Sequence, residues 1–234
     1  GTGKTTLIER VVDECSLRKI VVAPTGVAAL NIGGSTINSA FRIGFDTFPV
    51  IQESNDPRFK KLLKKLELLI IDEISMVRAP MLDAISETLQ LHRNSQEPFG
   101  GIHVLACGDL FQLPPVVKDH EVNMIDEKYE SVYFFSSKSY KEIEKPSFFE
   151  LTYSFRQSED ERFYSLLNNI RLGNDLSDTI NSINRACYNP EFTNESSMII
   201  TTRKYRAEQS NEEMLNLIEG PATAAQSEEY GEIN

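Results

Sequence analysis

The chain has 234 residues, 40% of them hydrophobic, enough to fill the core of one large domain or of one domain and part of another, which excludes disorder as the main state. No apolar run approaches the roughly 20 residues that cross a bilayer and no signal-peptide pattern opens the chain, so a soluble protein is expected. With 24 Lys and Arg against 35 Asp and Glu the formal charge is −11, a surface that repels nucleic acid unless cations are gathered locally, and three widely spaced cysteines without a CxxC pair exclude a disulfide scaffold and read as reduced thiols inside a cell.

The first six residues, GTGKTT, match the second half of the phosphate loop GxxxxGK[ST], in which backbone amides and a helix N-terminus cradle phosphates while the lysine reaches the β and γ groups. Gly1, Thr2, Gly3, Lys4, Thr5 and Thr6 are the candidate nucleotide-binding residues, with Thr5 also a magnesium ligand. Such a half-motif arises by chance about as often as by function. The strand that ordinarily precedes a phosphate loop is not in the sequence, and residues upstream are expected.

Leu7, Ile8, Val11 and Val12 have helical spacing from Thr5 to about Cys15, and Lys19 to Ala23 is a β-branched run of the kind buried in parallel sheets. The next stretch, APTGVAALNIGGSTINSAFRIG, carries small residues and hydroxyls that let backbone amides approach phosphates, and Thr25, Gly26, Asn31, Thr36 and Asn38 are its candidate DNA-binding members. An ordinary turn and helix explain that composition equally well. Asp56 and Pro57 read as a helix cap and first-turn proline, with Phe59, Leu62, Leu63 and Leu66 as one apolar stripe. Lys60, Lys61, Lys64 and Lys65 then form the other side, which reads as a solvated face.

Leu68 to Ile71 is a second buried strand, and it runs into adjacent carboxylates in IIDEIS. In P-loop ATPases the first acid holds Mg²⁺ and a neighbouring polar group activates water for in-line attack on the γ-phosphate, which assigns Asp72 to the metal and Glu73 to the water. A helix marked by Met81, Leu82, Ile85 and Leu89 follows, then a third strand from Ile102 to Cys107 that leads into GDLFQLPP. Gln112 is placed there to sense the γ-phosphate; a proline-stabilised turn accounts for the prolines but not for that glutamine. Arg156, in ELTYSFRQ, stands where an arginine finger would reach transition-state charge, against the ordinary reading of a lone arginine as half of a salt bridge.

Ser158 and Glu161 read as a capping box for a helix carrying Phe163, Leu166, Leu167 and Ile170 and stopped by Gly173; another carries Leu176, Ile180, Ile183 and Cys187. Residues 188–197, rich in Asn, Ser, Pro and Glu, form the expected domain boundary. The alternation of strand and helix predicts an α/β fold with a parallel sheet and helices on both faces, whose ligands bind beyond the carboxyl ends of the strands.

Taken in order, GTGKT, APTGVAALNIGGSTINS, IIDEISMV, PFGGIHVLACGDLFQLPPV and LTYSFRQ resemble motifs I, Ia, II, III and IV of the Pif (petite integration frequency) family of DNA helicases, in the RecD-like branch of superfamily 1B. The pairing of DEISM with GDLFQLPP is the most specific part. The resemblance implies a P-loop NTPase with a RecA-like motor domain over residues 1–192 and the opening strand and helix of a second, incomplete one over 193–234, where TTRKYRAEQSNEEMLNLI begins. It implies ATP and Mg²⁺ as cofactors, single-stranded DNA and its junctions with duplex as partners, and 5′ to 3′ movement that unwinds duplexes and G-quadruplexes in genome maintenance. The chain departs from many family members in having Asn38 where they have histidine. A P-loop ATPase of another class, acting without DNA, and a nucleotide-holding module that never cycles are the competing expectations; an intracellular site is expected, in bacterial cytoplasm or in a eukaryotic nucleus or mitochondrion.

Overall fold

A computed structural model describes residues 2–155, 160–189, 198–218 and 220. Gly1, Arg156 and Ser158, each given a role above, lie outside the described residues. Two compact units are present, Gly1–Leu176 and Ser177–Asn234.

In the first unit, α1 (Lys4–Glu14) leads into β1 (Lys19–Ala23), followed by α2 (Gly26–Asn31), β2 (Ser35–Thr36), α3 (Ile37–Phe41), α4 (Pro57–Lys65) and β3 (Leu68–Ile71). Then come α5 (Ala79–Arg93), β4 (His103–Ala106), α6 (Asp119–Asp126), α7 (Lys138–Lys141) and α8 (Glu161–Leu172). The four strands form one parallel sheet in the order β2-β1-β3-β4. Side chains alternate across it: Leu68 and Ile70 face α1, where they meet Ile8, Val11 and Val12, while Leu69 and Ile71 face the opposite layer with Leu63, Ile85 and Leu89. The expectation of helices on both faces therefore holds. Leu69, Ile70 and Ile71 are completely buried, each contributing about 1.5–3 kcal/mol relative to exposure.

Local chemistry sets the ends of the helices. Asp56 caps α4 by accepting from the Arg58 amide, with Pro57 in the first turn. At the other end of α4, Arg93 donates Nη1 to the carbonyls of Leu63 (2.8 Å), Lys64 (3.1 Å) and Leu66 (2.9 Å), and its Nε to Gly100 (2.8 Å), so one guanidinium satisfies the orphan carbonyls of that helix and ties α5 to it. Glu121 joins three segments, accepting from Thr47 Oγ1 at 2.7 Å, Arg78 Nη1 at 3.1 Å and the Lys118 amide at 2.9 Å. These bonds, the Thr47 hydroxyl foremost, hold its carboxyl well down, at about 2.

Three expectations need correction. Leu62 is 48% exposed, because the neighbouring layer takes only Phe59, Leu63 and Leu66 from the α4 stripe. The cap of α8 is Asp160, whose Oδ1 accepts from the Phe163 amide at 2.8 Å, so Glu161 is the first helical residue and not the third that a capping box with Ser158 needs. In the second unit, which holds most of α9 (Leu176–Cys187) and all of α10 (Lys204–Asn216), no strand forms at Thr201; among the described residues there is no neighbouring strand to complete a ladder. Most of the expected boundary, 190–197, lies outside the described residues.

Candidate active site

The carboxyl ends of β1, β3 and β4 and the amino end of α1 converge on one edge of the sheet. Lys4 is the first residue of α1, preceded by Gly3 in the left-handed conformation (φ 88), which turns the loop into the helix. Threonine or aspartate caps α2, α3 and α4, but no side chain caps α1. Its first-turn amides thus keep their affinity for an external anion, with the helix dipole behind them. Thr5 and Thr6 follow with exposed side chains.

β3 delivers Asp72 and Glu73 to the same edge. Asp72 is 6% exposed and accepts from the Glu73 amide at 2.9 Å. Glu73 sits at φ 49, ψ 45, a left-handed backbone that costs a non-glycine residue about 1–2 kcal/mol. Burial, then the neighbouring Asp72 charge, pushes its carboxyl above the usual range; Lys4 opposes that shift and Asp109 adds to it. The groups that move Glu73 are those the phosphate loop and the two strand ends supply, so the ammonium and the three carboxylates share one electrostatic neighbourhood.

β4 continues beside this turn. The Ile74 amide donates to the Cys107 carbonyl at 2.9 Å, and a Cβ on Gly108 would stand 2.8 Å from Ile74 Cγ2 and 3.1 Å from the amide nitrogens of Ile74 and Ser75. Glycine at 108 is therefore what lets the Asp109 loop lie against the Glu73 turn. Burial and the Asp72 charge raise the Cys107 thiol to about 11, which keeps it protonated and out of nucleophilic chemistry. Ser75 Oγ, beneath the same turn, is the buried side-chain polar atom left without a hydrogen-bond partner among the described residues.

Asp109 organises the loop that carries the expected sensor. It accepts from the Phe111 amide (3.1 Å), from Gln112 Nε2 (3.2 Å) and from Arg171 Nη2 (3.3 Å). Burial raises its carboxyl, but the Phe111 amide, Gln112, Arg171 and Lys4 outweigh it and leave it below the ordinary value. Arg171, from α8, also lies 4.8 Å over the Phe111 ring. Neither Asp109 nor Arg171 was expected from the sequence; Asp109 stood in GDLFQLPP, whereas nothing in the pattern of α8 singled out Arg171. Gln112 has its amide held by Asp109, the carboxylate that Lys4 also influences. Although Arg156 is outside the described residues, Phe155 beside it reaches the phosphate loop, its ring 3.9 Å from where a Gly3 Cβ would stand.

The stretch expected to meet DNA follows β1. Thr25 caps α2 by accepting from the Ala28 amide (3.2 Å), and Thr36 caps α3 by accepting from the Ser39 amide (3.3 Å). Gly26 and Asn31 open and close α2 and are exposed. Asn38 donates its amide hydrogens to the carbonyls of Ile43 and Gly44, both at 3.0 Å, so it holds the turn after α3.

The residues present suit a nucleotide with magnesium. The donors are hard oxygens, a hydroxyl at Thr5 and a carboxylate at Asp72, next to an uncapped helix start and an ammonium. Among the described residues no group of three or more His, Cys, Asp or Glu forms a metal cage, and Mg²⁺ characteristically takes one or two protein oxygens and completes its shell with phosphates and water. No described helix is long and apolar enough to cross a membrane.

Comparison with known proteins gives one answer. Residues 1–181 match the family model described as PIF1-like helicase. The chain is 34% identical over 249 residues to the ATP-dependent DNA helicase PIF1 of Candida albicans, covering 99% of this chain and 26% of that protein. It is 37% identical over 177 residues to the human protein of the same name, covering 74% of this chain and again 26% of the relative. Among solved structures, a Bacteroides Pif1 helicase in complex with ADP-AlF3 and ssDNA superposes with a TM-score of 0.80 at 38% identity, over 94% of this chain and 52% of that one. The chain therefore spans about a quarter of the curated relatives' length and about half of the crystallised one.

Proposed function

Because the chain belongs to the PIF1-like helicase family, we propose that the protein containing it is an ATP-dependent DNA helicase that moves 5′ to 3′ on single-stranded DNA and unwinds duplex or G-quadruplex in genome maintenance, with residues 1–192 as its first RecA-like motor domain and 193–234 as the start of the second. One observation carries the reading: Lys4, Asp72, Glu73 and Asp109 form one interacting group at the carboxyl edge of the sheet.

Bound nucleotide and Mg²⁺ supply the phosphoanhydride and the counter-charge for its cleavage. The uncapped start of α1, with Gly1, Thr2, Gly3 and Thr6, holds phosphate oxygens, and Lys4 adds a point charge. Thr5 and Asp72 would hold the metal. Glu73 accepts the proton of the attacking water, a role for which its raised pKa suits it. Gln112 orients at the γ-phosphate under the control of Asp109, and Arg156 supplies transition-state charge. Thr25, Gly26, Asn31 and Thr36 place backbone amides and hydroxyls along the track of the strand, while Asn38 acts indirectly by fixing the turn.

The test is ATP turnover by the full-length protein with and without oligo-dT. Strong stimulation is expected; turnover indifferent to DNA would favour a P-loop ATPase of another class.

A further inference from the structure

The amino end of β1 and the solvent side of α4 enclose a shallow groove of about 380 Å³, lined by Arg18, Lys19, Arg58, Lys61 and Lys65 over a floor of Ile20, Leu62 and Leu66. A run of lysines on one helix face is ordinarily a solvated surface, and the sequence of α4 by itself says no more than that. The fold adds two cations from outside the helix and an aliphatic floor between the rows. None of the five makes an ion pair among the described residues, although the chain carries net charge −11; Lys19 gives its ammonium to the Cys15 carbonyl, and the nearby Glu67 carboxylate accepts from the Arg18 amide. Concentrating unpaired positive charge on one face of an acidic protein creates a potential that attracts anionic partners and repels a second copy of the same surface.

Chemistry of the floor decides among anionic partners. A single-strand track adds aromatic platforms for bases to its cations, and the lining of this groove has aliphatic side chains and no aromatic one. It also lies at the amino end of β1, the far end of the strand from Thr25 and from the carboxylates of the candidate active site, a separation of roughly 13 Å or more along a five-residue strand. Leu62, a floor residue that is 48% exposed, is the contact that an aliphatic side chain would cover.

We propose that this groove docks an acidic, aliphatic-rich peptide segment of a partner protein, its carboxylates on Arg18, Arg58, Lys61 and Lys65 and its aliphatic side chains on Ile20, Leu62 and Leu66. The site is separate from the nucleotide edge and does not depend on the motor reading.

Fluorescence anisotropy on the full-length protein tests it with three labelled probes: a ten-residue alternating Leu-Glu peptide, a ten-residue oligoglutamate and oligo-dT. The Leu-Glu peptide is expected to bind more tightly than oligoglutamate. Its affinity should fall at least tenfold both in Arg58→Glu/Lys61→Glu/Lys65→Glu and in Leu62→Asn, with Tm and DNA-stimulated ATPase unchanged. Absence of Leu-Glu binding overturns the proposal, as does equal binding of oligoglutamate with no effect of Leu62→Asn, which would mean a bare ion-exchange face. Loss of oligo-dT binding in the triple variant with peptide binding intact overturns it too, making the groove a nucleic-acid contact.

Discussion

Replacing Gly108 with alanine probes the seam on which the candidate active site depends. The added Cβ would stand 2.8 Å from Ile74 Cγ2, against about 3.5 Å for carbon atoms in contact, a shortfall of about 0.7 Å. Ile74 cannot yield by rotating a flexible chain end, since Cγ2 is a methyl fixed on its branched β-carbon and the backbone nitrogens of Ile74 and Ser75 stand at 3.1 Å. The loop of Asp109 and Gln112 must therefore separate from the turn of Asp72 and Glu73. Overpacking of this kind costs about 1–3 kcal/mol, which lowers Tm by about 3–9 °C in a domain of this size. The chemical consequence should be larger, because displacing catalytic groups by close to 1 Å costs up to about 10²-fold in rate. Gly108→Ala in the full-length protein is thus expected to lose about 30- to 100-fold in kcat for ATP with a smaller change in KM, since α1 and Lys4 are untouched. Leu89→Ala is the control: Leu89 is completely buried away from the site, and the cavity should cost about 2–5 kcal/mol with kcat preserved below the melting range. Native kcat in Gly108→Ala, or an equal loss in Leu89→Ala, would refute the reasoning.

Two further outcomes follow from other contacts. Arg171→Met removes the charge that holds Asp109 and the cation above Phe111; kcat and DNA stimulation are expected to fall about tenfold with Tm nearly unchanged, the pair being partly exposed, and an unaltered rate would show that the loop keeps its place without α8. Glu121→Gln should destabilise the fold by about 2 kcal/mol at neutral pH. Folding depresses this carboxyl from 4.5 to about 2, so its contribution is full above 4.5 and disappears as pH falls through about 2; the Tm gap between native and variant should close over that window, and a pH-independent gap would contradict it.

Strands β1, β3 and β4 were readable because they are short β-branched or aliphatic runs, and the run at Leu68 to Ile71 is buried on both faces as its composition demands, whereas the two-residue β2, Ser35–Thr36, has no such run and was not expected. The meeting of Lys4, Asp72 and Glu73 at one edge was legible because the glycine-lysine turn opens a helix and the paired acids close a buried strand, two element ends that a parallel sheet brings to the same side. What escaped depends on partners distant in the chain. The Asp109–Arg171 pair spans 62 residues and leaves no periodic trace. The left-handed turn at Glu73 and the close approach of Gly108 belong to the packing of β3 against β4. The groove at Arg18 and Arg58 needed the fold to bring two segments together, and the cap of α8 was misplaced because Ser158 and Asp160 are both good capping residues two positions apart.

Single-turnover hydrolysis measured together with binding of a fluorescent ATP analogue, in full-length protein carrying Glu73→Gln or Lys4→Ala, tests whether one ammonium and two adjacent acids serve a single triphosphate. Glu73→Gln should bind the analogue nearly as the native protein does while hydrolysis falls by about 10² to 10⁴, and Lys4→Ala should lose binding itself. Native hydrolysis in Glu73→Gln, or undiminished binding in Lys4→Ala, would contradict the assignment.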